Sequence, residues 1–99
     1  MKQYLSSEQT AKLIELGFKK PESIIDAWAH ETDIDMEYVY EYSYSIGELI
    51  ELLGGVSELE ITRFGSGWGA YDELRAFSAE ELIDALYDMI IMLKEEEII

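Results

Sequence analysis

The sequence predicts one compact α+β domain over residues 1–99, in which a small antiparallel sheet of about four strands packs against three helices. The predicted element order is α-β-β-α-β-β-α. Three observations support it. The 99 residues are 48% hydrophobic and include twelve aromatic residues, which suits a single small core. Apolar residues recur at helical intervals in three segments and alternate with polar residues in four others. Serine–glutamine or serine–glutamate pairs at capping-box spacing precede each predicted helix.

The first helix is predicted over residues 7–17. Ser6 and Gln9 have the capping-box spacing, in which each side chain satisfies a backbone N–H at the helix start. Leu13 belongs to a set of apolar residues at near-helical intervals. Gly17 can adopt the left-handed conformation that ends a helix.

The second and third helices are predicted to begin with one shared local pattern, an aromatic residue followed by a serine cap. Ser45 and Ser78 are the predicted N-caps, each with a glutamate three residues later. The preceding aromatic ring can pack on the leucine four residues after the cap as a hydrophobic staple. The second helix then stops at 54–55, and the third forms a buried stripe comprising Leu82, Leu86, Met89 and Leu93.

Strands are predicted before each of these two helices. Residues 58–64 and 67–73 flank a glycine-rich turn, which is typical of a hairpin. Residues 24–30 and 36–42 flank the polar turn "ETDID". Pro21 equally permits a short helix through residue 28, so the second assignment stays open.

Tyrosines occupy every second position from 38 to 44. In a strand, Tyr38, Tyr40 and Tyr42 share one face, and Tyr44 is the staple residue of the second helix. We expect the three strand tyrosines to pack over the helices, with their hydroxyl groups reaching water at the rim. The alternative is a base-stacking platform, which needs neighbouring basic residues to neutralise phosphates, and residues 21–60 contain none.

The net charge of −15 is unevenly distributed. Residues 1–20 carry +2, residues 21–60 carry −11 with no lysine or arginine, and residues 61–99 carry −6. Such a field repels nucleic acid and anionic lipid and favours basic protein surfaces, including those of nucleic-acid-binding proteins. The predicted partner-binding residues are Asp26, Glu31, Asp33, Asp35, Glu37 and Glu41.

The acidic turn also supports an alternative, a divalent-cation or enzymatic module around residues 30–37. His30, Asp33, Asp35 and Glu37 offer ligands that hard cations prefer. The EF-hand pattern fails, however, because tyrosines stand where its glycine and its final glutamate are required. A solvated acidic turn is the favoured interpretation.

No convergent catalytic arrangement is visible in the sequence. The well-placed serines, Ser6, Ser45 and Ser78, already have predicted capping roles. The "GSGWG" stretch at 65–69 lacks the spacing of a phosphate-binding loop and indicates a tight turn. We therefore expect no enzymatic activity, no cofactor and no resident metal.

Composition also bears on the compartment. The chain has no cysteine, so nothing indicates an oxidising environment. Its first residues turn polar before an apolar leader segment forms, and no stretch approaches the roughly 20 apolar residues of a membrane span. We expect a soluble cytoplasmic protein.

Residues 5–9, 16–17, "YSIGELIELL" at 44–53 and "FSAEELIDALYDMIIML" at 77–93 together give the chain a resemblance. In these segments it resembles short proteins of phages and mobile elements of gut bacteria, a group without a known activity. The similarity is firmest at the C-terminal helix and weak between 18 and 43. It implies a small accessory protein that acts by binding another protein, with inhibition of a host defence or nucleic-acid-binding protein by DNA mimicry as the narrower hypothesis.

Overall fold

A computed structural model describes residues 1–31, 36–56 and 59–99, without the side chains of His30, Met36, Glu37 and Phe64. In these residues the chain forms three helices and five strands. Their order is α1 (Ser7–Glu15), β1 (Ser23–Glu31), β2 (Met36–Ser43), α2 (Ile46–Leu52), β3 (Glu60–Phe64), β4 (Gly67–Tyr71), β5 (Ala76–Ala79) and α3 (Leu82–Glu95).

The α+β class and the predicted order of helices and hairpins are confirmed, but the expectation of one sheet of about four strands is wrong. β1 and β2 form a separate two-stranded sheet, and β3, β4 and β5 form an antiparallel three-stranded sheet in sequence order. The additional strand is β5, in the segment that the sequence predicts to begin the third helix. Within the described residues, the two sheets are not hydrogen-bonded to each other.

The predicted caps of α1 and α2 are confirmed. Ser6 Oγ accepts the Gln9 N–H at 3.2 Å, and Gln9 Oε1 accepts the Ser6 N–H at 3.0 Å. At α2, Ser45 Oγ accepts the Glu48 N–H at 3.2 Å, and Glu48 Oε1 accepts the Ser45 N–H at the same distance. Both helix starts therefore satisfy two otherwise free backbone donors.

The predicted cap of α3 is wrong. Ser78 is an exposed residue of β5, opposite Gly69 of β4, and α3 begins later, after Glu81, without a side-chain cap hydrogen bond. Phe77 and Ala79 flank Ser78 and pack against the core from this strand. Pairing with β4 and burial of these two side chains outweigh the contribution of about 1 kcal/mol that a serine cap makes.

The core lies between α3, α2 and the three-stranded sheet. Leu86, Met89 and Leu93 of the predicted α3 stripe are fully buried, and Leu82 is nearly so. Ala70 of β4 is buried against this helix, with Trp68 and Phe77 packed around it. The predicted staple residues of α2 belong to the same core, since Tyr44 and Leu49 are both buried.

Glycines define two tight points in the three-stranded sheet. Phe64 pairs with Gly67, which leaves a two-residue turn in which Gly65 has φ of 55°. Gly67 lies so close to β5 that a Cβ atom would stand 2.9 Å from the carbonyl oxygen of Ala79. A side chain at residue 67 would force β4 and β5 apart.

The molecule is elongated. Its radius of gyration is 16.0 Å and its principal extents are 57 × 31 × 18 Å, whereas a compact domain of this length has a radius near 13 Å. Among the described residues, the β1–β2 hairpin shares no extensive contact with any helix, while α3 packs on α2, β4 and β5. In the described residues, no helix is both long enough and apolar enough to cross a bilayer.

Candidate functional site

The β1–β2 hairpin carries the acidic segment and is the candidate site. Residues 23–31 are a strand, which resolves the choice between strand and helix in this region. β1 pairs antiparallel with β2 from Ser23 opposite Ser43 to Glu31 opposite Met36. The register shifts between Ile24 and Asp26, so Ile25 is an extra residue in β1 and forms a bulge.

The register divides the hairpin into two faces. The tyrosine face consists of Tyr38, Tyr40 and Tyr42 with their cross-strand partners Ala29, Ala27 and Ile24. The acidic face consists of Asp26, Trp28, Val39 and Glu41. On this second face Trp28 is opposite Val39, and Asp26 is directly opposite Glu41.

The expectation that the strand tyrosines pack over the helices is wrong. Tyr38, Tyr40 and Tyr42 are 64%, 46% and 45% exposed. The ring centroids of Tyr40 and Tyr42 lie 6.4 Å apart, so these two rings contact each other at a tilt of 55°. In the described part of the chain, the apolar stripe of α3 packs on α2, β4 and β5 and makes no extensive contact with this hairpin.

The acidic face is also open to solvent. Trp28 is 47% exposed and Val39 is 39% exposed. Asp26 is exposed, and its Oδ1 accepts the N–H of Ala27 at 2.8 Å. Like charges directly opposite each other destabilise a strand pair, so the Asp26–Glu41 pair serves no evident stabilising purpose.

The other predicted partner-binding residues divide into two groups. Glu31 is exposed at the end of β1, and Glu41 is half-buried, with Oε1 accepting a hydrogen bond from Ser7 Oγ at 3.2 Å. Asp33 and Asp35 lie outside the described residues, and only the backbone position of Glu37 in β2 is described. The hairpin therefore brings Asp26, Glu31 and Glu41 onto one projecting element.

The alternative cation site remains a prediction. The backbones of His30 and Glu37 are cross-strand partners. Their side chains, and residues 33 and 35, lie outside the part of the chain that the structure describes. Among the described residues there is no group of three or more acidic or histidine side chains arranged to hold a metal ion. Calorimetric titration with calcium, magnesium and manganese tests the hypothesis directly.

Buried hydroxyl groups anchor the base of the hairpin to α1. The Ser43 hydroxyl donates to the Leu5 carbonyl at 2.7 Å and lies 2.8 Å from the Thr10 hydroxyl. Because the single proton of Ser43 is used on Leu5, Thr10 is the donor in the second bond. Ser43 and Thr10 are both buried. Sequence reasoning missed this anchor, since a serine and a threonine 33 positions apart give no local signal.

Glu48 forms a second anchor. Its carboxylate accepts hydrogen bonds from the Ser23 hydroxyl and the Glu22 N–H at the start of β1, as well as from Ser45. Burial alone would raise the pKa of Glu48, but these hydrogen bonds outweigh it and hold the pKa below its ordinary value. The residue that closes the α2 capping box thus also fixes where the hairpin begins.

A cleft beside this anchor is lined by Lys19, Lys20, Glu22, Tyr44, Glu48, Glu51 and Leu52. The Tyr44 hydroxyl donates to the Lys19 carbonyl, and burial raises the pKa of Tyr44. Lys19 Nζ pairs with the Glu22 carboxylate at 3.0 Å. The cleft is small, and Lys19, Glu22 and Glu48 in its lining are already engaged in an ion pair and in hydrogen bonds, which fits a structural junction better than a substrate pocket.

Two further polar clusters fasten the two ends of α3 to neighbouring segments. Lys2 Nζ and Gln9 Nε2 each contact Asp84 Oδ1 at 3.0 Å, which ties the N-terminal segment and α1 to α3. Hydrogen bonds from Gln9 and Lys2 lower the pKa of Asp84 in spite of the opposing effect of its burial. Arg75 joins Asp72, in the β4–β5 turn, to Glu96 at the end of α3. These contacts have structural roles.

Comparison of this chain with protein-family models, with curated proteins and with solved structures finds no match.

Proposed function

We propose that this protein acts by binding another protein, and that the acidic face of the β1–β2 hairpin engages a basic surface of the partner. It acts in the cytoplasm, by occupancy of that surface and not by catalysis. The observation that supports this proposal is that the hairpin projects from the core and exposes acidic and aromatic side chains together.

The side chains of this face suit a protein interface. Trp28 and Val39 are opposite each other and exposed, and aromatic residues supply much of the binding energy at interface centres. Asp26 and Glu41 lie next to this apolar pair in the register. An apolar centre with charged residues beside it is the usual anatomy of a specific interface.

Electrostatics favours a basic partner. No lysine or arginine occurs between residues 21 and 60, where the charge is −11. Opposite charges on two partners accelerate their association and fix their relative orientation more than they increase the final affinity. Binding should weaken as salt rises, because exposed charges are screened beyond about 8 Å at physiological ionic strength.

The narrower hypothesis is that the protein belongs to a phage or mobile element and inhibits a host nucleic-acid-binding or defence protein by mimicking DNA. Carboxylates on a projecting strand pair would then occupy positions that phosphates take in the partner's groove. This hypothesis requires competition, so duplex DNA must displace the protein from the partner. A partner that binds DNA and this protein simultaneously would exclude mimicry while leaving protein binding intact.

The central experiment compares two charge-reversal variants with equal net charge. The test variant is Asp26→Lys with Glu41→Lys, which are cross-strand partners on the acidic face. The matched control is Glu73→Lys with Glu95→Lys, both exposed and both outside the hairpin. Partners retained from a bacterial lysate on the wild-type protein are purified, and association rates are measured over a salt series for all three proteins.

We expect the hairpin variant to associate at least about tenfold more slowly at low salt, with the dissociation rate changed less. The control should stay close to wild type. The three proteins should converge at high salt as the charges are screened. Equal association rates for the hairpin variant and the control would show that the acidic face does not direct binding.

A further inference from the structure

Within the described residues, neither β1 nor β2 pairs with a further strand, and the only neighbouring bridge joins Tyr4 to Ser45, just beyond the end of β2. An isolated two-stranded sheet is marginally stable in water, and three or more strands or a packed helix are normally needed. Here, as far as the structure describes the chain, helix contacts are confined to the base of the hairpin, and side chains on both of its faces are about half exposed. An additional strand along one edge would complete its hydrogen bonding and cover part of this apolar surface.

The two edges differ. β1 contains the bulge at Ile25, and Asp26 Oδ1 takes the backbone N–H of Ala27. Bulges and inserted charges are the features by which sheet edges resist further pairing. β2 is regular along its pairing with β1 from Tyr38 to Glu41 and contains no proline. The β2 edge is therefore the one suited to accept a strand.

The sequence of β2 is complementary to itself. We propose that two copies of this chain pair through their β2 edges, antiparallel, about a two-fold axis at Tyr40. The result is a four-stranded sheet with the order β1-β2-β2-β1. Such an interface is isologous, since the same residues serve both copies.

Side-chain pairing selects this register. With the axis at Tyr40, Tyr40 meets its own copy, Tyr38 meets Tyr42, and Val39 meets Glu41. Cross-strand aromatic pairs stabilise a sheet, whereas like charges directly opposite destabilise it. Moving the axis by one residue to Val39 would place Glu37 opposite Glu41. The Tyr40 register avoids that repulsion and joins the two tyrosine faces into one.

Neighbouring backbone contacts limit the length of this pairing. In this register residue 36 of one copy would lie opposite Tyr44 of the other, but the Tyr44 carbonyl already accepts the N–H of Leu5, beside the bridge between Tyr4 and Ser45. The proposed interface is therefore confined to residues 38–42.

The overall charge of −15 opposes association of two identical chains. Screening that repulsion should strengthen the dimer, so its salt dependence has the opposite sign to that of a basic partner. Pairing through the edge leaves the acidic face of each hairpin open. The dimer is therefore independent of the proposed function, and either can fail alone.

The first experiment is sedimentation equilibrium of the wild-type chain in about 50 mM and about 500 mM sodium chloride. We expect a monomer–dimer equilibrium with at least severalfold tighter association at the higher salt. Tyr40→Lys places two positive charges at the axis and should abolish the dimer. Trp28→Lys, on the other strand, should retain it. A monomer at every protein and salt concentration would overturn the proposal.

The register is tested by disulfide crosslinking, which is clean because the chain has no cysteine. Tyr40→Cys places two thiols directly opposite each other, and oxidation should crosslink the dimer efficiently. In Tyr38→Cys the two copies of residue 38 are offset by about 13 Å along the strands, beyond the roughly 7 Å that a disulfide permits. The two variants are matched in chemistry and differ only in position.

We expect crosslinking of Tyr40→Cys to exceed that of Tyr38→Cys by at least about tenfold, which is the contrast that a fixed register imposes. Circular dichroism of both variants checks that the fold is retained. Equal crosslinking at the two positions would show collisions without a defined register, and preferential crosslinking at position 38 would show a different one. Either result contradicts pairing about Tyr40. An added lysine–valine peptide that competes with the dimer would instead identify a basic strand as the occupant of this edge.

Discussion

The two antiparallel sheets of this protein are built from similar strands but have different surroundings. In the three-stranded sheet, Ala70 is fully buried beneath α3 and Phe77 packs beside it. In the hairpin, Tyr38 is 64% exposed and Trp28 is 47% exposed. The difference lies in coverage, because α3 packs on β4 and β5 and, in the residues that the structure describes, makes no extensive contact with the hairpin. The first sheet stabilises the fold, and the second exposes aromatic and acidic groups to solvent.

The largest expected contrast between the two sheets is in the cost of truncating an apolar side chain. Leu86 of α3 is fully buried, so Leu86→Ala should reduce the free energy of unfolding by about 2–5 kcal/mol. Val39 of the hairpin is 39% exposed, and Val39→Ala should cost less than about 1 kcal/mol. Denaturant unfolding of the two variants measures both values.

Similar losses for Leu86→Ala and Val39→Ala would contradict the division into a core sheet and an open hairpin. Both variants should be measured at the same low protein concentration, because dimer formation would add its own contribution to the stability of the hairpin.

A backbone contact gives the next contrast. A Cβ atom at Gly67 would stand 2.9 Å from the Ala79 carbonyl, so Gly67→Ala must displace β4 from β5. We expect a loss of about 1–3 kcal/mol, as for other overpacked sites. Gly55 has open space around its Cβ position, and Gly55→Ala should change stability by less than about 0.5 kcal/mol. Thermal unfolding of the two variants measures the difference. Equal melting temperatures would show that β5 does not lie against Gly67.

The two serines of the shared helix-start pattern give a smaller effect. Ser45→Ala removes the cap of α2 and should cost about 1 kcal/mol. Ser78→Ala changes an exposed strand residue and should be nearly neutral. Chemical denaturation distinguishes them. Equal losses at the two positions would indicate that Ser78 does cap α3, contrary to its position in β5.

The same two serines show what local sequence can predict. The patterns at Ser45 and Ser78 are almost identical, and both contain an aromatic residue, a serine and a glutamate. Only the first forms a cap, because the second competes with pairing to β4, where Gly69 lies opposite Ser78. Capping signals describe a local preference, and a strand partner distant in sequence can override them.

The candidate site was predictable in position but not in exposure. Charge segregation and tyrosine alternation correctly identified residues 36–42 as a strand of an acidic hairpin. Alternation shows which side chains share a face, but it does not show whether a helix covers that face. The coverage depends on where α3 packs, which in turn depends on β5. The anchors at Ser43 and Glu48 depend on the same long-range arrangement.

The smallest expected effect concerns the junction between the hairpin and the core, and it appears as a pH dependence. Hydrogen bonds hold the pKa of Glu48 below its ordinary value in the folded protein. The carboxylate therefore stabilises the fold above the unfolded pKa of about 4.3, and this contribution is lost as pH falls through the lower folded value.

Glu48→Gln removes the charge but retains a side chain that can close a capping box, as Gln9 does at α1. Its melting temperature should fall below that of wild type at neutral pH, and the gap should narrow as both proteins are acidified. Glu73→Gln, at an exposed position in the β4–β5 turn, is the matched control and should follow wild type throughout. A gap between Glu48→Gln and wild type that stays constant down to about pH 3 would mean that the damage is loss of packing and not loss of the carboxylate that joins α2 to the hairpin.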